Sequence, residues 1–228
     1  FFLKYQVDGY AIPKNDEFFS TFDQFDRLNY ISNFSGSAGL AVITKDKNYL
    51  FVDGRYTVQA KLESGKNFKI EDLGKIINCN LFKKKIIGFN PKLFTSFQIK
   101  RFFLKNNKVK QIQSKLIEKL FEKKLTKSKP FFSLEKKIVG ESHISKIAKI
   151  IKFLKKKKSN YLFISAPENV AWLLNIRGYD NPYSPIPNCR LLINNKGNIH
   201  LITEMTKVKK LIKEKKIKKY QIIDPKNF

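Results

Sequence analysis

The sequence predicts an α/β protein made of two consecutive domains, each a mixed β-sheet flanked by helices. Three observations carry this expectation. The chain has 228 residues, long for one domain and matched to two of roughly 100 to 130 residues, each able to bury a core. Short apolar runs alternate with stretches whose apolar residues recur at helical spacing, the pattern of helices laid against a sheet. Near the middle, a connection rich in Lys, Ser and Thr, Lys123 to Lys129, ends at Pro130. The expected limits are therefore 1–126 for the first domain and 127–228 for the second.

In the first domain, Lys4 to Pro13 reads as a strand and its exit, followed by the polar loop Asn15-Asp16-Glu17. Asp23 to Ser32 suits a short helix with Phe25, Leu28 and Ile31 inward. Ala38 to Thr44 and Asn48 to Asp53 are apolar runs joined by Lys45-Asp46-Lys47, a hairpin pattern. Arg55 to Ser64 is helical, with Gly65 as its stop. Lys85 to Phe89 is a strand, Thr95 to Lys105 and Ser114 to Lys124 are helices, and Lys108 to Ile112 is a short strand between them.

In the second domain, Ser142 caps a helix whose stripe Ile144, Ile147, Ala148, Ile151 and Leu154 has the spacing of one helical face. Tyr161 to Ser165 reads as a strand of the buried type, and Pro167 opens a helix at its favoured first turn, continued by Asn169 to Leu174. Arg190 to Ile193 and Ile199 to Thr203 flank Asn194-Asn195-Lys196-Gly197, a second hairpin signal. Glu204 to Lys216 is helical and Tyr220 to Ile223 is a last strand. The order repeats the vocabulary of the first domain without a visible sequence repeat.

Composition bounds the function. Hydrophobic residues make up 42% and aromatics 14%, so a charged content of 29% does not push the chain toward disorder. The formal charge of +27 invites a nucleic-acid partner, yet 41 of the 46 basic residues are Lys and five are Arg, and base and phosphate recognition leans on the Arg fork. Lys is abundant together with Phe, Ile and Asn, all encoded by A/T-rich codons, which accounts for the excess without a specific nucleic-acid ligand. Lys155 to Lys158 reads as the solvated end of a helix, where cations suit the dipole. Cys79 and Cys189 stand far apart without Cys-x-x-Cys spacing and are expected to be free thiols in a reducing cytoplasm. No stretch approaches the ~20 apolar residues of a membrane helix, and no signal peptide precedes the first strand. A start at Phe1 reads as a chain cut at both ends.

Five residues stand out as site candidates. In Asp53-Gly54-Arg55-Tyr56, a glycine between an acid and a base at a strand-to-helix turn can fix an Asp/Arg pair and aim the guanidinium outward, and Asp53 also suits the N-terminus of the next helix. Arg177-Gly178-Tyr179-Asp180 places Arg177 and Asp180 around another glycine, in a loop stiffened by Pro182, Pro185 and Pro187. Asp53, Arg55, Tyr56, Arg177 and Asp180 are thus candidates for a substrate cleft or an interdomain contact. Gly36-Ser37-Ala38-Gly39 lacks the ending of a phosphate loop and reads as a tight turn, and Ser37 is not in a hydrolase elbow. Trp172 reads as core packing. His143 and His200 cannot build a metal site alone, since a two-metal hydrolase needs several convergent carboxylates and the 19 acids are scattered.

Asn33-Phe34-Ser35-Gly36-Ser37-Ala38-Gly39-Leu40 and Asp53-Gly54-Arg55-Tyr56-Thr57-Val58-Gln59-Ala60 resemble the first domain of an Xaa-Pro aminopeptidase. The segment from Asn169 to Pro185, with Trp172, Asn175, Arg177, Gly178, Asp180 and Pro182, resembles the second domain of the three-domain form. The Tyr10-Ala-Ile-Pro13-Lys-Asn-Asp16-Glu17 stretch, Arg27, Gly140, Ser142 and Lys146 extend the likeness over most of the chain. It departs at Ser184-Pro185, where many relatives have Asn-Pro, and at Lys129-Pro130-Phe131-Phe132, which offers no Trp.

The resemblance implies two consecutive creatinase/aminopeptidase P N-terminal-like domains of metallopeptidase family M24. It implies that hydrolysis belongs to a C-terminal pita-bread domain absent here, whose two Asp, one His and two Glu hold two divalent metals, usually Mn. No catalytic or metal-binding residue and no cofactor is expected in this segment. The implied partners are a peptide substrate, through the missing domain, and a second copy in a cytoplasmic homodimer, with no specific nucleic acid and no membrane. By the same comparison the second domain stops a few tens of residues short, leaving an exposed edge. Two other readings stay open: a non-catalytic peptide- or protein-binding module of the same fold, and the front part of a prolidase or creatinase relative.

Overall fold

The structure is a computed structural model that describes residues 1–21, 25–78, 81–105, 107–113, 117 and 129–228. Two compact units result, Phe1–Lys124 and Leu125–Phe228. The expected limit at 126/127, Cys79, and all of the expected helix from Ser114 to Lys124 except Ile117 lie outside the described residues.

The first unit is built on a six-stranded sheet of order β4-β3-β2-β1-β5-β6. Its strands are β1 (Gly9–Pro13), β2 (Gly39–Thr44), β3 (Asn48–Val52), β4 (Lys69–Asp72), β5 (Ile86–Phe89) and β6 (Lys108–Gln111). The hairpin forms as expected, with Leu40 opposite Phe51 and Ile43 opposite Asn48. Residues 4–7 do not extend the first strand: α1 (Phe2–Tyr5) closes on Gln6 in the left-handed conformation at φ 51°, and the strand begins at Gly9. β1 is central, antiparallel to β2 and parallel to β5, and all five of its residues are buried. Its alternation feeds two cores: Tyr10 and Ile12 join Leu28, Phe34 and Leu50 on one face, and Ala11 joins Val42, Phe51, Ile87 and Phe103 on the other. Each such large apolar side chain contributes about 1.5–3 kcal/mol of burial.

Among the described residues, α2 (Arg27–Ser32), α3 (Thr57–Ser64), α4 (Leu73–Asn78) and α5 (Ser96–Ile99) support this sheet, the last running into a π-turn over Lys100–Leu104. Asp26 caps α2 by accepting from Asn29 N–H, and Leu28 is fully buried with Phe25 and Ile31 packed beside the same cluster. A 3-10 turn over Gly54–Tyr56 precedes α3, so the expected helix starts as a tighter coil. Gly65 ends α3 in the right-handed region, φ −61°, and not as a left-handed stop. The pattern missed β4 and α4. In β4 the most buried residue is a glutamate, Glu71, held between Lys69 at 2.6 Å and Lys75 at 2.8 Å. Hydrogen bonds from those two ammonium groups keep its carboxyl below the usual glutamate value.

The second unit has a four-stranded sheet of order β12-β11-β10-β8 and a two-stranded ribbon of β7 (Phe132–Ser133) with β9 (Ile176–Arg177). The main strands are β8 (Tyr161–Ile164), β10 (Arg190–Asn194), β11 (Ile199–Ile202) and β12 (Ile222–Ile223). Helices α6 (Lys136–Val139), α7 (His143–Lys156), α8 (Pro167–Leu174) and α9 (Met205–Lys213) accompany them. Leu191, Ile193, Ile199 and Leu201 of the hairpin pack with Val170, Leu173, Val208 and Leu211 of α8 and α9.

Three expectations are corrected here. The stripe on α7 is displaced: Ile144 is 69% exposed and Ala148 is exposed, whereas Ile147 and Ile150 pack on the core and Lys146 and Leu154 are buried. Counting only apolar residues placed the buried face one residue off, because a lysine occupies it. Trp172 is not core: it is 60% exposed, since Val170, Ala171, Leu173 and Leu174 take the inward side of α8. β8 is apolar throughout yet lies at the sheet's edge.

The second unit repeats the topology of the first in register. Gly9 pairs with Thr44 as Tyr161 pairs with Asn194, and Ile43 pairs with Asn48 as Ile193 pairs with Ile199. β12 lies parallel to β11 as β4 lies parallel to β3, with Ile222 opposite Leu201 as Ile70 is opposite Leu50. The helix after the first strand ends in both units on an asparagine in the left-handed region, Asn33 at φ 62° and Asn175 at φ 52°.

Candidate functional site

The strand β3 delivers Asp53 in extended conformation to the head of the 3-10 turn, where its Oδ1 accepts the Arg55 N–H at 3.0 Å. The same carboxylate receives Arg55 Nε at 3.1 Å and Nη2 at 2.7 Å. Cap and ion pair are therefore one fork-on-carboxylate arrangement, which fixes direction as well as charge. The hydrogen bond from Arg55 holds the Asp53 carboxyl below its ordinary value, and the bond to Asp53 raises the guanidinium above its own. The Arg55 side chain is 72% exposed, and two of its five N–H groups are engaged by Asp53, leaving three for another acceptor.

Tyr56 anchors this turn to the loop before β2. Its hydroxyl lies 2.7 Å from Ser37 Oγ, its ring meets Phe34 edge-on at 5.8 Å, and the Arg55 guanidinium lies 5.2 Å from the ring centre. Farther along α3, Glu63 accepts from both Ser35 N and Ser35 Oγ at 2.8 Å, and Gln59 donates to Ser35 Oγ at 2.8 Å. Glycine at 36 is a spatial requirement: a Cβ there would lie 2.3 Å from Phe34 Cζ and 2.9 Å from Tyr56 Cδ1. The Asn33–Gly39 loop is thus a tight turn clamped to α3, and the two motifs form a single platform under Arg55. Sequence reading weighed them separately. The polar spacing Gln59 and Glu63, one turn apart on α3 and facing a Ser-rich loop, is the signal that joins them.

Arg177 and Asp180 do not pair with each other. Arg177 Nη1 turns back to donate to Ile176 O at 2.9 Å and Ala171 O at 3.3 Å, closing the end of α8. Asp180 instead receives Lys207 Nζ at 2.8 Å on Oδ1 and Asn188 N–H at 2.7 Å on Oδ2, with only 10% of its side chain exposed. Gly178 donates its N–H to Pro185 O at 3.1 Å, and a Cβ on it would strike Phe131 and Pro187, each at 2.9 Å. The proline loop is thereby tied to β7, to β9 and to α9, and Lys207 is a partner that the sequence pattern did not single out.

Lys146 is the second such residue. It is buried, donates to Trp172 O at 2.7 Å and Asn175 Oδ1 at 2.8 Å, and lies 3.9 Å from the centre of the Trp172 ring. Burial pushes its ammonium below the usual lysine value. At the head of α7, His143 Nδ1 lies 3.0 Å from Lys216 Nζ. Burial first, then the charges of Lys216 and Lys146, hold this imidazole below its ordinary value. Cys189 is a free, buried thiol, pushed up by that burial. Among the described residues no three His, Cys, Asp or Glu converge to hold a metal ion, so this set does not fit a two-metal centre. No described helix is long and apolar enough to cross a membrane.

Residues 4–120 match a family model described as the Creatinase/Prolidase N-terminal domain, and residues 122–227 match a second model of the same description. The chain belongs to the creatinase/prolidase N-terminal domain family. This pair of creatinase/prolidase N-terminal domains is similar to a probable Xaa-Pro aminopeptidase P of Laccaria bicolor, 32% identical over 201 residues, covering 80% of the chain and 31% of that protein. It is similar to Xaa-Pro aminopeptidase 1 of Dictyostelium discoideum, 32% identical over 212 residues, covering 81% of the chain and 33% of that protein. Among solved structures it resembles the X-prolyl aminopeptidase of Caenorhabditis elegans, described as a cytosolic enzyme with a di-nuclear active site. That match has a TM-score of 0.84 and 25% identity, and covers 96% of this chain and 38% of the other. The creatinase/prolidase pair spans about a third of the length of the curated relatives it matches.

Proposed function

We propose that this chain is the non-catalytic front part, with domains 1–126 and 127–228, of a cytoplasmic Xaa-Pro aminopeptidase, an enzyme that removes the N-terminal residue preceding proline. In this reading the two divalent ions, Mn by expectation, are held by residues outside the chain, which itself shapes the peptide cleft and contributes to a homodimer. The observation that carries the cleft role is the Asp53–Arg55 fork, whose guanidinium is exposed while its carboxylate, its turn and Tyr56 are fixed from beneath. Val58 and Leu62 follow Arg55 at helical spacing and are 72% and 82% exposed, which adds apolar surface beside the cation. A peptide carbonyl or carboxylate on Arg55 would make a charge-assisted hydrogen bond worth roughly 1.5–3 kcal/mol.

In the full-length enzyme, Arg55→Ala should therefore lower kcat/KM on peptides of five or more residues by about tenfold. Dipeptide turnover should hold, and the thermal midpoint should stay within the range of a surface substitution. Identical kinetics on long and short peptides would remove Arg55 from the cleft. Activity lost on both together would place its role elsewhere.

A further inference from the structure

The second unit gathers three basic side chains that the peptidase reading does not use. His143 begins α7, Lys146 follows about one helical turn later, and Lys216 comes from the turn after α9. That turn is fixed: Lys215 stands in the left-handed region at φ 55°, and the Lys216 N–H donates back to Leu211 O at 2.9 Å, satisfying a carbonyl at the end of α9. The Lys216 side chain then meets the His143 ring, with Nζ 3.0 Å from Nδ1. A hydrogen bond between these nitrogens accommodates one proton and not two, because an ammonium and an imidazolium can both only donate. One of the two bases therefore keeps a lone pair.

The nearby carboxylates are engaged elsewhere. Glu214 leans to Lys210 at 3.9 Å and Glu141 to Lys149 at 2.7 Å, and among the described residues no acid forms an ion pair with Lys216. Burial holds the Lys216 ammonium below its usual value, against the charge of Glu214 and together with that of Lys146. His143 and Lys216 also line a cavity of about 10 Å³, whose other walls are Leu174, Ile176, Ile199, Leu201, Leu211 and Ile217. That is the space of one very small molecule. Six apolar side chains around it favour a molecule that asks for few hydrogen bonds over water, and the half-buried Lys216 leaves the amine within reach of solvent.

We propose that Lys216 is a site of reversible carbamate formation, at which carbon dioxide enters this cavity and reacts with the amine while His143 acts as the base. The ammonium first gives its proton to solvent. The lone pair on Nζ then forms the N–C bond, one C=O electron pair moves onto oxygen, and the proton leaving nitrogen passes to His143 Nδ1. The product is a carbamate anion beside an imidazolium. It replaces the mutual repulsion of two basic groups by an attraction, and it places a negative charge near Lys146 and the N-terminus of α7, both of which favour it. A desolvated lysine next to other cationic groups is the setting that makes this amine nucleophilic. The proposal rests on this cluster and not on the peptidase reading.

The test is to equilibrate the 228-residue chain with ¹³C-labelled carbon dioxide and bicarbonate at neutral pH, trap carbamates by O-ethylation, and locate them by mass spectrometry. Lys216 should carry at least about tenfold more label than the exposed Lys149 and Lys210. His143→Gln, which keeps a hydrogen-bonding group but removes the base, should bring Lys216 down to the level of those lysines. Lys216→Arg should remove the corresponding ¹³C carbamate resonance while Trp172 fluorescence reports an intact fold. Label on Lys216 no greater than on Lys149 overturns the proposal, and this comparison within the wild-type chain decides even where a variant fails to fold. An excess on Lys216 that persists in folded His143→Gln overturns the base assigned to it.

Discussion

Asp180→Ala should cost the second unit about 3–5 kcal/mol, the range for breaking a buried ion pair from one side. The substitution takes the carboxylate acceptor from two donors: the Lys207 ammonium at 2.8 Å and the Asn188 N–H at 2.7 Å. What remains is the larger part of the cost, an ammonium whose side chain is only 15% exposed with no opposing charge. The damage spreads along the backbone, since Lys207 O receives the Phe131 N–H at 2.7 Å and Phe131 is fully buried. Trp172 is the single tryptophan and belongs to this unit, so its fluorescence through a urea titration reads the relevant transition. The midpoint should fall with an unchanged slope. Adding Lys207→Met to Asp180→Ala should recover much of the loss, because the stranded charge is then gone. A loss below about 1 kcal/mol would instead class the pair with exposed ion pairs.

Legibility in the sequence followed the physics of each element. The hairpins β2–β3 and β10–β11 were readable because apolar runs flank polar turns, and α8 because Pro167 marks its first turn. β4 escaped because its most buried residue is Glu71, whose burial is compensated by Lys69 and Lys75 and leaves Ile70 as the strand's single apolar residue. The face of α7 was misplaced for the same reason, with Lys146 standing where an apolar residue was sought. At the candidate site, Asp53 and Arg55 were legible because cap and ion pair are local, two residues apart. Asp180 was half legible: its partner Lys207 is 27 residues away, and nothing in local spacing distinguishes that lysine from the other 40. Long-range polar pairs need the topology first, and in this chain the high lysine content removes any contrast by which such a pair could be found.

Lys146→Met should destabilise the second unit by about 2–3 kcal/mol, because the ammonium is one of the polar links that join two helix ends. It donates to Trp172 O and to Asn175 Oδ1 at the close of α8, and Asn175 Nδ2 in turn donates to Glu141 O at 2.9 Å, just before the Ser142 cap of α7. Methionine fills much of the lysine stem's space but leaves the Asn175 carbonyl without its donor, a cost of about 1–3 kcal/mol. It also gives up the cation held 3.9 Å from the Trp172 ring, a contact of about 0.5–2 kcal/mol. Relief of the buried charge opposes these losses and sets the sign of a second readout. Burial lowers the folded-state pKa of Lys146, so between that value and the ordinary lysine value of about 10.4 the unfolded chain holds a proton that the folded one has released. The wild-type contribution from Lys146 is therefore greatest above the unfolded value and declines as pH falls through the folded one. The stability gap between wild type and Lys146→Met should accordingly widen from pH 7 toward pH 10. A gap that stays flat with pH would mean that the ammonium is as well solvated in the folded chain as in the unfolded one, and would leave the hydrogen bonds alone to account for the loss.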